Sequence, residues 1–295
     1  MKWTNAYFLI CIFLCAIFFN KPGGFAQNSV LCKGDSLFSA GNFFEAAIAF
    51  ERAYYFAPNN TERIAANLKK ANALKQQGEF SKAFSDLQRS LPTAIIDSLR
   101  IEVLYETAIC AYLAGNYAHS ISILSQLIYQ YPHAIQFKEF FLLKAMVLVK
   151  LEQWNELSVH INQMALQRQP TLQKDQVMTQ LRDLLNPGNQ PKLRNPERAS
   201  LWSTIIPGSG HLYAGSPGKG VINGLSQLVS LGGAFVMGVN HLYFSGFIIG
   251  LGAFQSFYFG GIKQAANLAQ QNNIKKMNDY QAKIETLLFD IYQMP

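Results

Sequence analysis

Formal charge is almost missing from one long stretch: between Ala199 and Ile262 the only charged residue is Lys219. A soluble surface of that length carries many more charges, so an ordinary water-facing domain is excluded there. Acidic residues are scarce around it as well, with Glu197 the single carboxylate between Pro187 and Asn278. Cysteine is limited to Cys11, Cys15, Cys32 and Cys110, too few for a disulfide-stapled scaffold. The five histidines, His119, His133, His160, His211 and His241, have no metal-ligand spacing. The glycine-rich phrases also miss the known chemical loops. A phosphate loop ending at Gly218-Lys219 needs a glycine at 213 and a hydroxyl residue at 220, where the chain has Tyr213 and Gly220. Ser209 lacks the paired glycines of a nucleophile elbow. The sequence therefore predicts no enzyme, no catalytic residue, no metal and no cofactor.

What is present begins with an apolar run from Tyr7 to Phe19, preceded by Lys2 and followed by small residues Gly24 and Ala26. This pattern predicts a signal peptide over 1–26 and export. Bulky Ile10 and Leu14 before Cys11 and Cys15 argue against lipidation. From Gln27 to Asn186 there are 15 basic and 14 acidic side chains, an ordinary soluble balance. The net charge of +7 arises mainly from Lys2 and Lys21, and from Lys192, Arg194, Arg198 and Lys219 beside the apolar stretch. No basic stripe with interleaved aromatics points to nucleic acid.

Within 27–186 the chain repeats itself. Gly41-Asn42-Phe43, Gly78-Glu79-Phe80, Gly115-Asn116-Tyr117 and Glu152-Gln153-Trp154 recur at a constant interval of 37 residues. Three residues after each aromatic stands Ala46, Ala83, Ser120 or Leu157, and four later Phe50, Leu87, Leu124 or Ile161. That is the spacing of a helix with one apolar face, and the residues upstream of each turn keep helical spacing too. Four helical hairpins follow. Cys32 and Cys110 fall on first helices of non-adjacent hairpins, too far apart for a disulfide, and are expected as buried thiols. A further amphipathic helix over Thr171 to Leu185 is expected to cap the array, followed by a basic linker over 187–198.

In Gly34, Leu37, Gly41, Phe43, Ala46, Phe50, Ala53 and Pro58 the first hairpin resembles the tetratricopeptide repeat. The resemblance implies an all-α, tetratricopeptide-like solenoid whose first helices line a binding groove. By position these residues are Asp35, Phe38, Asn72, Lys75, Glu102, Tyr105, Tyr112, Glu139 and Lys150, a mixed polar and aromatic set suited to a protein or peptide partner. The same positions are also compatible with a solvated face.

The 199–262 module carries two apolar stretches, about 221–239 and 242–261, each about 20 residues and so about 30 Å as helix. The reading is a transmembrane helical hairpin followed by a C-terminal amphipathic helix over 263–295, with Met277, Tyr280, Ile284, Leu287 and Ile291 along one seam. Before the hairpin, the phrase Pro207-Gly208-Ser209-Gly210-His211-Leu212-Tyr213 resembles one found in small bacterial two-helix membrane domains of unknown function. Trp202, His211 and Tyr213 are expected in the headgroup layer. Asn223, Ser226, Gln227 and Ser230 share one helix face, and Gly220 with Gly224, and Gly246 with Gly250, have the small-residue spacing of close helix contacts, which suggests a homo-oligomer.

These features together predict a membrane-anchored protein-interaction scaffold at the bacterial inner membrane, with its repeats facing the periplasm. The alternative is a small channel or transport component using Asn223 and Gln227. Two crossings are expected over three, because Ala199 to Gly218 is rich in proline and glycine and poorly apolar.

Overall fold

A computed structural model describes residues 24–90, 96–132, 138–167 and 172–293. The apolar N-terminal run read as a signal peptide lies outside the described residues. Among those described, every element is helical, and the chain divides into two compact units, one ending at Gln169 and the other beginning at Pro170.

The first unit is four helical hairpins: α1 Gly24–Ser39 with α2 Phe43–Phe56, α3 Asn60–Gln76 with α4 Phe80–Ser90, α5 Asp97–Leu113 with α6 Tyr117–Gln130, and α7 Lys138–Lys150 with α8 Trp154–Gln167. Each helix packs on its neighbours in the chain, and α3, α5 and α7 also touch in succession. The 37-residue repeat is the period of one backbone event. Gly41, Gly78, Gly115 and Glu152 all take positive φ (79°, 78°, 76° and 57°). At each, the following amide donates to the carbonyl five residues back: Asn42 to Leu37, Glu79 to Leu74, Asn116 to Ala111 and Gln153 to Leu148. This left-handed cap ends the first helix and turns the chain into the second.

Glycine adopts that conformation freely, whereas a side chain there costs about 1–2 kcal/mol. Glu152 bears the cost, and its side chain is exposed. Replacing Glu152 with glycine is therefore expected to stabilise the first unit by about 1 kcal/mol, read as a higher denaturant midpoint with an unchanged slope. A lowered midpoint would contradict the shared role of the four turns.

The small positions after each turn, Ala46, Ala83, Ser120 and Leu157, are all fully buried, and Phe50, Leu87, Leu124 and Ile161 form the core beneath them. Gly34 permits the deepest of these contacts, since a Cβ there would lie 2.5 Å from the Phe50 ring. Phe43, Phe80, Tyr117 and Trp154 are half-buried flanks of the core. Of the two thiols expected inside, Cys110 is buried and desolvation pushes it up to about 12, but Cys32 is exposed on α1.

The second unit opens with α9 Leu172–Leu185, α10 Pro196–Ile205 and α11 Ser209–Tyr213, then α12 Pro217–Val239 and α13 Tyr243–Gln293. Two expectations are corrected. The helix expected to cap the repeats belongs to this unit: Met178, Leu181 and Leu185 pack with Tyr280, Ile284, Leu288 and Ile291, and the Tyr280 hydroxyl donates to the Leu184 carbonyl at 2.6 Å. A helix covers whichever apolar stripe fits it, and here the stripe is the Tyr280 to Ile291 part of the α13 seam, with Leu288 buried more deeply than Leu287. Nor do the second apolar stretch and the C-terminal amphipathic helix separate at 262. They form one helix of 51 residues, about 77 Å long, because no proline or turn interrupts it. A π-helical stretch, Gly246–Leu251, turns Gly246 and Gly250 towards α12. The α12–α13 connection repeats the left-handed cap, with His241 at φ 59° and the Leu242 amide donating to the Met237 carbonyl.

Candidate functional site

Three of the first-helix residues assigned to a groove, Asp35, Lys75 and Tyr105, bridge to the next hairpin, and Phe38 and Tyr112 close on the second helix of their own. Asp35 on α1 accepts from Lys69 on α3 at 2.6 Å, and Lys75 on α3 pairs with Glu106 on α5 at 2.5 Å. Tyr105 on α5 lies against Phe140 on α7, with ring centroids 4.4 Å apart. Phe38 meets Phe43 edge-on at 5.2 Å, and Tyr112 lies 5.5 Å from Tyr117, so these two seal the mouths of their own hairpins. Asn72 and Glu102 are exposed. The row is thus a structural seam with a polar rim.

Sequence reading missed the most buried charge of this unit. Lys70, on the opposite side of α3, pairs with Asp86 on α4 at 2.7 Å and with Glu51 on α2. Burial pulls its ammonium down, but the hydrogen bonds to Asp86 and Glu51 outweigh that and hold it above its ordinary value. Asn67 beside it donates to the Asp86 carbonyl and to the Ser90 hydroxyl. The interval of 37 was the available signal, because it places Lys33, Lys70, Thr107 and Lys144 in register.

In the second unit the glycine-rich phrase is a packing device. Gly208, at φ 86°, caps α11 at its start, and a Cβ on it would collide with the Gly220 carbonyl oxygen. Reciprocally, a Cβ on Gly220 would lie 2.6 Å from the Gly208 oxygen and 3.1 Å from the His211 Cβ. Gly210 is pressed against the Ala199 carbonyl and Ser203. Pro207 breaks the chain between α10 and α11, and its carbonyl faces Gly224. His211, expected at a headgroup surface, is instead fully buried, with Nε2 3.1 Å from the Gln264 side-chain oxygen. Gly220, lacking a side chain, leaves room beside the His211 Cβ. Tyr213 is half-buried, and its hydroxyl accepts from the Asn195 amide.

Asn223 and Gln227 are both buried between α12 and α13. Asn223 donates to the Phe257 carbonyl at 3.2 Å, and Gln227 donates to the Asn223 oxygen at 2.8 Å. Gly261 makes this possible, since a Cβ there would lie 2.5 Å from the Asn223 oxygen. Gly246 and Gly250 press against Ala234 and its neighbours, so this small-residue spacing serves contacts within the chain. The arrangement joins helices.

The chain matches no family model, and no curated protein is significantly similar to it. Its assignment therefore rests on its own geometry. Along α13, residues that the sequence reading passed over form a ladder to the preceding segments. The Tyr258 hydroxyl donates to the Thr204 carbonyl, the Asn272 amide to the Ala214 carbonyl, and Asn273 both accepts from the Arg194 amide and donates to its carbonyl. Their spacing along α13 keeps them near one face, the only hint in the sequence.

Outward, α12 and α13 present Ile222, Leu228, Val229, Phe235, Phe244 and Phe247, each about two-thirds exposed or more. Polar and small residues face in, while large apolar ones face out. Both helices are long and apolar enough to cross a membrane. Among the described residues no group of three or more His, Cys, Asp and Glu side chains forms a metal cage.

Proposed function

We propose that this chain is a membrane-anchored protein-interaction scaffold of the bacterial cell envelope, in which α12 and α13 cross the inner membrane and a tetratricopeptide-like solenoid of hairpins, on the periplasmic side, holds a protein or peptide partner. The observation that carries the membrane part is the inside-out distribution on α12 and α13. Water would not tolerate so much contiguous exposed apolar surface, whereas lipid matches it and demands that buried polar groups pair with one another.

Lys192, Arg194, Arg198, Lys219, Lys263, Lys275 and Lys276, opposed only by Glu197 between Pro187 and Asn278, suit a headgroup layer at the foot of the hairpin. Two crossings are favoured because α10 has 10 residues, about 15 Å, half of a hydrocarbon core. The paired hydrogen bonds between Arg194 and Asn273 also favour keeping the linker and the far half of α13 on one side. The scaffold part is supported by the in-register hairpins and the exposed polar rim of their first helices.

The test places a photo-crosslinking amino acid at Asn72 in the intact membrane protein. A discrete crosslinked protein that disappears in a Glu102→Arg background is expected, since both side chains are exposed and neither supports the seam. Crosslinking to lipid or to nothing, or a product indifferent to the charge reversal, would reject the groove.

A further inference from the structure

The register of the repeats places the same two positions of each hairpin side by side, and their occupants differ in one telling way. On the first helices these are Lys33, Lys70, Thr107 and Lys144, and on the second helices Ala49, Asp86, Ile123 and His160, each series stepping by 37. In the second hairpin the cation is fully matched, with Asp86 from its own hairpin and Glu51 from the one before. In the third, neutral Thr107 and Ile123 take both places, and the Thr107 hydroxyl donates to its own helix at Val103.

In the fourth hairpin the cation returns without its anions. His160 stands where Asp86 does, and Ser125 stands where Glu51 does, 74 residues on. Among the described residues the acid that acts on Lys144 is Glu156, which lines the same pocket but forms no ion pair with it. All 18 acidic residues of the chain lie at described positions, and among them none pairs with Lys144. Burial draws Lys144 below its ordinary value, with the Glu156 charge opposing. His160 brings no compensation. Its Nε2 donates to the Phe141 carbonyl at 3.2 Å, and its ring stacks on Phe141 with centroids 4.3 Å apart. Beside these two side chains opens a pocket of about 310 Å³, lined by Lys144, Asn155, Glu156, Val159, His160 and Gln163.

We infer that this pocket receives an acidic side chain from a partner polypeptide, whose carboxylate takes at Lys144 the place that Asp86 and Glu51 fill at Lys70. An ammonium with spare donors in a partly desolvated pocket favours an anionic oxygen over a neutral one, because a charge-assisted hydrogen bond is about twice as strong. Asn155 and Gln163 bring amide donors to the same wall, and Val159 gives an apolar surface for the methylenes of a glutamate. The volume is at the small end of ligand pockets, which suits one side chain better than a cofactor. This inference rests on the scaffold reading only for the source of the carboxylate.

Competitive acetylation of the full chain in detergent at pH 8, followed lysine by lysine by mass spectrometry, tests it with three probes: tetraglutamate and tetraglutamine, each N-acetylated and C-amidated, and glutarate. Tetraglutamate is expected to slow acetylation of Lys144 about three-fold or more, while tetraglutamine leaves it unchanged and Lys70 stays slow throughout. In the His160→Asp variant, which copies the residue that hairpin two tolerates at this register, Lys144 is expected to react slowly with no probe added. Protection by glutarate as strong as by the peptide would overturn a polypeptide source, and no protection by either acid would overturn the site. A His160→Asp protein whose Lys144 stays as reactive as before would overturn the equivalence with Lys70. If Asn72 captures no protein while tetraglutamate still protects Lys144, the scaffold reading fails and the site stands.

Discussion

Replacing Gly208 with alanine is expected to destabilise the second unit by roughly 2–5 kcal/mol, the sum of two separate penalties. The first is backbone strain, since φ is 86° and an L side chain costs about 1–2 kcal/mol in that region. The second is collision, because the added Cβ would meet the Gly220 carbonyl, a backbone atom of α12 that cannot rotate away. Relieving it requires α11 and α12 to separate, which opens the chamber around His211 and costs about 1–3 kcal/mol as overpacking. Gly218→Ala is the control: it lies 10 residues away, its Cβ would meet nothing within 4 Å, and its effect should stay within about 0.5 kcal/mol. Hydrogen exchange in detergent reads both, with amides of α10 to α12 losing protection in the first variant and keeping it in the second. Equal protection in both would show that the glycine phrase does not close this junction.

Acid is expected to weaken the first unit through His160. Desolvation, then repulsion from Lys144, push this imidazole from 6.5 down to about 4, against the hydrogen bond to Phe141. Above pH about 6.5 neither state binds the proton, and His160 contributes no slope. Between about 6.5 and 4 the unfolded chain binds a proton that the folded chain refuses, so stability falls as pH falls, by about 1.4 kcal/mol per unit. The accumulated loss is roughly 3 kcal/mol at pH 4. His160→Ile places there the residue that Ile123 supplies in the third hairpin, and the difference between variant and parent isolates this one group from every other titration. Denaturant midpoints from pH 7 to pH 4 should fall more steeply for the parent. Parallel curves would mean that His160 takes up its proton as readily in the fold as in the unfolded chain.

Much of this protein is determined by the order of its residues alone. The interval of 37 locates four turns, and the tight and core positions from Ala46 to Ile161 follow, because a helix repeats its faces every 3.6 residues whatever surrounds it. The near-absence of charge from Ala199 to Ile262 likewise marks two helices able to cross a membrane, since hydropathy is a sum over local composition. The tertiary structure alone decided which faces meet. It packed Leu172–Leu185 on α13, ran the second apolar stretch on into the C-terminal helix, and buried His211 against Gly220 and Gln264 instead of at a surface. It also matched Lys70 with Asp86 and Glu51 and left Lys144 beside His160 and an open pocket. These outcomes depend on groups far apart in sequence: an amphipathic stripe states that it will be covered, but the partner is set by shape, by the room a missing Cβ leaves, and by where an opposite charge arrives.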